Sequence, residues 1–199
     1  MNLFNDKKIN IINKDGMVDY YGKIFSKMES DRLYELLLNN INWKNDEAII
    51  YGKHIITKRK IAWYGDSDYS YKYSNISKQA LPWTEYLLGL KKKVEQMIES
   101  NFNSCLLNLY HNGNEGVTWH SDGEKTLGNT PLIASLSFGA ERKFSFKHKQ
   151  TKQIVSLTLE HGSLLVMKDK TQTNWLHSLP ITKKISNLRI NLTFRTIFR

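Results

Sequence analysis

Three residues in the second half of the chain have the types and spacing of a metal site. His120 and Asp122 stand one residue apart in Trp119-His120-Ser121-Asp122. At the end of an extended segment such residues point to the same side of the backbone, so both can reach one ion. A lone His-x-Asp pair is cheap by chance and equally describes a surface histidine beside an aspartate that tightens a turn. His177, in Asn174-Trp-Leu-His177-Ser-Leu-Pro180, offers a third ligand. Two imidazoles and one carboxylate on one face of a metal leave positions open for a co-substrate and O2, which suits non-haem Fe(II). Zinc hydrolases use a similar set, so the ligands by themselves do not name the metal.

Arg189-Ile-Asn-Leu-Thr-Phe-Arg195 narrows the chemistry. The alternation places Arg189, Asn191, Thr193 and Arg195 on one face of a strand and Ile190, Leu192 and Phe194 on the other. The two arginines lie roughly 20 Å apart at ~3.3 Å per residue. An ordinary surface strand with its arginines in water shows the same alternation, but so close after His177 the long side chains can converge on an extended dicarboxylate, each pairing bidentately with one end. A two-histidine, one-carboxylate site with such a clamp means 2-oxoglutarate. Asn108 and Tyr110 share a face in the same way and offer neutral hydrogen-bond donors for carboxylate oxygens, though either could equally be a satisfied core polar group.

These residues need rigid elements to carry them. From Ser104 onward the apolar pattern has period two or runs in short blocks. It predicts strands at Cys105–Tyr110, Leu132–Phe138, Arg142–His148, Ile154–Leu159, Ser163–Met167 and Arg189–Arg195, with glycines between them. Shorter strands are expected around Ile49–Ile55, Lys60–Tyr64 and Ser70–Tyr73. Upstream, Leu33, Leu36 and Leu37 form a helical face that Met28 extends, capped by Ser26 or Ser30. A second helix is expected from Pro82 to about Ser100, with Leu87, Leu90, Val94, Met97 and Ile98 inward. Helices followed by many short strands predict a mainly β, α+β fold, two packed sheets forming a jelly roll. A single domain is expected over 1–199, with helices and a lid in about 1–100 and the jelly-roll core in about 104–198.

Composition sets the outer limits. One cysteine, Cys105, excludes an internal disulfide and a cysteine-rich zinc site. No run approaches ~18 apolar residues, and the N-terminal residues lack an apolar signal core, so neither a membrane span nor a signal peptide is expected. The expectation is an intracellular monomer, cytoplasmic, or nuclear in a eukaryote. Twenty-nine Lys and Arg against nineteen Asp and Glu give a net charge of +10. A surface this basic attracts polyanions, nucleic acid foremost.

Taken in order, Asn108-Leu-Tyr110, Trp119-His120-Ser-Asp122-Gly-Glu124, Pro131-Leu-Ile-Ala-Ser-Leu-Ser-Phe-Gly-Ala, His161-Gly-Ser-Leu-Leu-Val-Met, Trp175-Leu-His177-Ser-Leu-Pro and Arg189-Ile-Asn-Leu-Thr-Phe-Arg195 resemble the AlkB family of iron- and 2-oxoglutarate-dependent dioxygenases. The similarity is nearest to the branch acting on double-stranded DNA. It extends upstream through Tyr51-Gly-Lys, Lys58-Arg-Lys-Ile-Ala-Trp-Tyr-Gly-Asp66 and Tyr71-Lys-Tyr-Ser74. Leu176, Gly123 and Lys58 depart from the family pattern, and none is a ligand candidate. The resemblance implies a double-stranded β-helix and oxidative demethylation of N-alkylated bases such as 1-methyladenine and 3-methylcytosine in DNA, releasing formaldehyde, succinate and CO2. An RNA or protein demethylase or hydroxylase of the same fold is the alternative. Carried over by position, His120, Asp122 and His177 hold Fe(II). Tyr110 and Arg189 hold the distal carboxylate of 2-oxoglutarate, and Asn108 and Arg195 its chelating end. Asn191 counts with the co-substrate residues. Glu124, Tyr71, Tyr73 and Ser74 line the pocket for the damaged base. Ile50–Lys53 forms a nucleotide-recognition hairpin whose Tyr51 fills the gap left by a flipped base. Arg59, with Lys53, Lys58, Lys60, Lys147, Lys149 and Lys152, is expected on phosphates of single- or double-stranded DNA, or of RNA.

Overall fold

The computed structural model describes residues 8–50, 53–67, 69–73 and 76–198, with backbone alone at 48–50, 70–73 and 76–78. The elements run β1 (Ile9–Asn10), β2 (Met17–Lys23), α1 (Lys27–Asn40), β3 (Lys44–Ile50), β4 (Lys53–Gly65), β5 (Ser70–Tyr73), β6 (Ile76–Gln79), β7 (Leu81–Pro82), α2 (Glu85–Ile98), β8 (Ser104–Tyr110), β9 (Val117–His120), β10 (Ile133–Gly139), β11 (Arg142–His148), β12 (Ile154–Leu159), β13 (Ser163–Lys168), α3 (Thr171–Asn174), β14 (Trp175–Leu179) and β15 (Arg189–Arg195). Among the described residues they form two facing sheets and a β5–β6 ribbon. The major sheet has the order β1-β2-β13-β10-β15-β8-β4-β3, with β7 also on β4; the minor sheet has the order β12-β11-β14-β9. Apart from the parallel β4–β7 pair, all pairings are antiparallel. This is the jelly roll the strand pattern predicts.

Alternation along the central strands decides what each face does. Cys105, Leu107 and Leu109 of β8, Ala134, Leu136 and Phe138 of β10, and Ile190, Leu192 and Phe194 of β15 turn to one side. There they pack with Leu37 of α1 and Leu87, Leu90 and Val94 of α2. Each fully buried aliphatic or aromatic side chain contributes roughly 1.5–3 kcal/mol, so the helices exist because this sheet face must be covered. The intervening residues of the same strands face the minor sheet and carry the polar groups discussed below. Trp175, Phe146, Leu165 and Ile133 close one end of the space between the sheets.

Several local expectations are corrected. The cap of α1 is Ser26, which accepts from the Glu29 N–H while the Glu29 carboxylate accepts from the Ser26 N–H; Ser30 is buried instead. Met28 does not extend the apolar face and stands 79% exposed, because the buried stripe runs through Ser30, Leu33, Tyr34 and Leu37. Pro82 is not in the first turn of α2. Thr84 caps that helix, and Leu81–Pro82 pairs with β4. The strands expected at Ile49–Ile55 and Lys60–Tyr64 are two antiparallel strands, β3 and β4, with Ile50 opposite Lys53. β2 and β4, from the first hundred residues, belong to the major sheet rather than to a separate lid.

Candidate metal centre and co-substrate cavity

The ligand atoms of His120, Asp122 and His177 all lie within 4.8 Å of one another. Strand pairing explains the meeting. His177 on β14 stands directly opposite His120 on β9, and their rings sit 4.2 Å apart. Asp122 follows β9 by two residues, and its N–H donates to Gln172 Oε1 at 3.0 Å. His120 Nδ1 lies 2.8 Å from the Thr118 carbonyl oxygen. A carbonyl only accepts, so Nδ1 carries the proton and Nε2 keeps its lone pair for a metal. Burial pushes the His177 imidazole down to about 3, against the attraction of Asp122, so this ring is neutral and ready to ligate at pH 7. Burial alone would raise the Asp122 carboxyl. Arg195, His177 and His120 outweigh it and hold the group below the usual carboxylate range. Arg195 Nη2 donates to Asp122 Oδ2 at 2.7 Å.

The cluster opens on a cavity of about 630 Å³ between the sheets. Its floor is a grid of paired residues on β4, β8 and β15: Tyr110 opposite Arg189, Asn108 opposite Ile61 and Asn191, and Ser104 opposite Arg195. Arg189 is buried, donates to Ser137 Oγ at 2.9 Å and lies 5.4 Å from the centroid of the Tyr110 ring. Burial lowers its guanidinium to about 10, so it still carries its charge. Asn191 donates to Ser135 Oγ at 2.8 Å and accepts from Thr193 at 3.1 Å. The Nε atoms of Arg189 and Arg195 and Oε2 of Glu124 are buried and unpartnered. Leaving such atoms unpaired costs roughly 1–3 kcal/mol each. They leave two cationic donors and one anionic acceptor unmatched by protein partners in the cavity wall.

The structure brings together His120, Asp122, His177, Asn108, Tyr110, Arg189, Asn191, Arg195 and Glu124, all of which line this one cavity. Arg59 corrects the expectation of a phosphate contact. It lines the cavity and pairs with Asp46 beside Tyr110, because a bulge in β4 turns it inward. Lys149 is likewise spent internally, donating to Gln172 O at 2.8 Å and Ser121 Oγ at 3.2 Å. Tyr51 and Ser74 lie outside the described residues, and Tyr71 and Tyr73 are placed only as backbone of β5. Sequence reasoning missed Ser135, Ser137, Gln172 and Asp46. It also missed Arg142, a buried cation that donates to the carbonyls of Asn112, Gly113, Glu115 and Pro180. That side chain ties the loop entering β9 to the loop leaving β14, the two strands that carry the histidines. The Ser-Leu-Ser alternation of β10 was visible; the register that aims it at Arg189 and Asn191 was not.

Residues 17–195 match the 2OG-Fe(II) oxygenase superfamily. The chain is 39% identical over 180 residues to alpha-ketoglutarate-dependent dioxygenase alkB homolog 3 of Bos taurus, a match covering 85% of this chain and 62% of that protein. It is 36% identical over 194 residues to DNA oxidative demethylase ALKBH2 of Mus musculus, covering 92% and 81%. The chain thus spans less than two thirds of the length of the first of these relatives. The solved structure of OsALKBH1 shares the fold, with a TM-score of 0.61 at 14% identity over 93% of this chain and 98% of that one.

Proposed function

Because the chain belongs to the AlkB branch of the 2OG-Fe(II) oxygenase superfamily, we propose that it demethylates N-alkylated bases of DNA, 1-methyladenine and 3-methylcytosine foremost, with release of formaldehyde. The observation that carries this reading is one cavity that joins a His-Asp-His cluster to the buried Arg189, the partly buried Arg195 and an unpartnered glutamate oxygen. His120, Asp122 and His177 would hold Fe(II). Arg189, Arg195, Asn108, Tyr110 and Asn191 would hold 2-oxoglutarate. When bound, Fe(II) with 2-oxoglutarate and O2 supplies the oxidation of a methyl C–H bond, chemistry that belongs to the cofactor.

The chain's own residues do the rest. Arg195 keeps Asp122 ionised and oriented, and the Thr118 carbonyl fixes the tautomer of His120. Arg189, enclosed away from water, discriminates for a second carboxylate at the far end of the co-substrate. A methyl on N1 of adenine or N3 of cytosine blocks pairing and places a positive charge on the base. Such a base leaves the stack at lower cost, and the Glu124 carboxylate at the cavity wall favours its charge. Phe144, 5.6 Å from the His177 ring, and the stacked Trp63–Tyr69 pair wall the cavity with aromatic surface. Outside it, Lys53 and Lys58 are exposed and Lys147 is half-exposed over the Trp119 ring, placed to meet phosphates without reading sequence. The DNA reading is further supported by the likeness to a DNA oxidative demethylase over 92% of the chain.

The test is formaldehyde release. Protein loaded anaerobically with Fe(II) and 2-oxoglutarate is exposed to O2 with oligonucleotides bearing 1-methyladenine or 3-methylcytosine. DNA, RNA, single strands and duplexes are run beside a methylated peptide. Release from DNA that depends on both metal and 2-oxoglutarate is expected. Release from peptide alone would refute the nucleic-acid reading, and release from RNA alone would move the substrate to RNA.

A further inference from the structure

Arg59 sits at an irregularity with a purpose. β3 and β4 pair from Ile50 opposite Lys53 down to Glu47 opposite Ile56, and then again at Asn45 opposite Lys60. Between those pairs Asp46 alone faces three residues, Thr57, Lys58 and Arg59. Bulges of this kind re-aim a side chain and bend the strand. Here the bulge is stapled by Asn45 Nδ2 donating to the Thr57 carbonyl at 2.9 Å and Thr57 Oγ1 donating to the Arg59 carbonyl at 3.0 Å. Arg59 is turned inward against Asp46, with only 21% and 15% of the two side chains exposed. The pair Lys60–Leu109 places Arg59 beside Tyr110 on the next strand, and Tyr110 stands opposite Arg189. Tyr110 is therefore held from two sides. Arg59 stands beside it across the β4–β8 pairing, and the Arg189 guanidinium lies over its ring.

We propose that Arg59 is a positioning residue. Fixed by Asp46 at the bulge, it holds the Tyr110 hydroxyl toward the far carboxylate of 2-oxoglutarate and so ties occupancy of the cavity to the posture of the β3–β4 hairpin. This rests on the co-substrate reading above. The link is made at the bulge from which the hairpin strands extend, so what tightens one is expected to tighten the other.

The experiment uses protein loaded with Mn(II), in which 2-oxoglutarate binding is read by titration calorimetry without turnover. Tyr110→Phe, Arg59→Met and Asp46→Asn are each expected to weaken binding roughly tenfold, the scale of one hydrogen bond to a charged group. Arg59→Met combined with Tyr110→Phe should be no weaker than Tyr110→Phe alone. In wild type, 2-oxoglutarate should slow tryptic cleavage at Lys53 and Lys58; in Asp46→Asn it should not. Asp46→Asn is nearly isosteric, so it decides the matter even if Arg59→Met fails to fold. Additive losses in the double variant, or unchanged affinity in Asp46→Asn, overturn the proposal while wild-type binding stands. Wild-type protein that binds no 2-oxoglutarate overturns the co-substrate reading and this proposal with it.

Discussion

Replacing Arg195 by methionine keeps most of the side chain's volume and removes its charge. In the wild type Arg195 Nη2 lies 2.7 Å from Asp122 Oδ2, with 18% and 6% of the side chains exposed. Removing one member of a buried pair costs about 3–5 kcal/mol because the other charge is left in a poor solvent. The residual exposure of Arg195 places this case near about 3 kcal/mol. In a chain of this size each kcal/mol moves the melting point by about 2–4 °C, so metal-free Arg195→Met should melt roughly 6–12 °C below wild type. The sign with pH follows from Asp122. Its folded pKa is depressed, so it contributes stability above its unfolded value of about 3.9, lost as pH falls through the folded value. Without Arg195 the burial effect gains ground and that contribution shrinks. The deficit of the variant is therefore largest near neutrality and closes in acid. A divalent cation on Asp122 supplies the missing positive charge, so Mn(II) should raise the variant's melting point by more than it raises that of wild type. Further stabilisation by 2-oxoglutarate should disappear. Thermal scans without metal, with Mn(II), and with both ligands decide the question. A deficit that neither metal nor acid alters would refute the electrostatic account and leave Arg195 as a packing residue.

His120→Ala, Asp122→Ala and His177→Ala should each abolish formaldehyde release while oligonucleotide affinity, measured by fluorescence anisotropy, changes less than about twofold, since phosphate contacts lie elsewhere. Arg189→Lys keeps a charge but loses the fork that meets a carboxylate with two bonds, so the 2-oxoglutarate concentration for half-maximal rate should rise with little change in oligonucleotide affinity. His177 is buried neutral with a folded value of about 3. In the metal-free chain the unfolded state takes its proton below ~6.5, so stability should fall from pH ~6.5 toward 3 in urea titrations, and His177→Asn should flatten that limb. Lys53→Ala and Lys58→Ala should weaken binding to any sequence and each lower the salt slope by about one unit.

The chemistry was more legible than its support. Arg189–Arg195 announced its two faces through strict alternation, and the structure keeps that assignment residue by residue. His120 and Asp122 could be named as a close pair, and His177, 55 residues on, because the arginine strand that follows it gave the three a common purpose. Arg59 could not be placed. A run of Lys58-Arg59-Lys60 reads as a solvated basic strip, and only the bulge opposite Asp46 turns the middle residue inward. Met28 misled because an apolar residue at helical spacing is buried only if something packs there, and α1 meets the sheet one stripe away. β2 and β14 were not called as strands. Met17–Lys23 mixes Asp, Gly and Lys into its run, and Trp175–Leu179 is too short for its period to show. Arg142 gave no sequence signal, because an arginine that caps four carbonyls looks like any other arginine.

Among the described residues β9 closes the minor sheet and has β14 on one side only. Its registered pairs with β14 are few, His177 with His120 and Leu179 with Val117, with an irregularity between them. Two of the three cluster residues, His120 and the Asp122 that follows it, therefore ride on an edge strand, while His177 sits on an interior strand that is already held. In the metal-free protein the amide protons of 117–122 should exchange with solvent through local opening, ahead of those in β8 and β15. An ion shared by the two histidines and Asp122 would act as a cross-link from the sheet's rim to its interior. Loading would then be a folding event confined to six residues. The free energy of closing that rim would be subtracted from the intrinsic affinity of the ligands, making iron retention a property of the strand as much as of the three side chains.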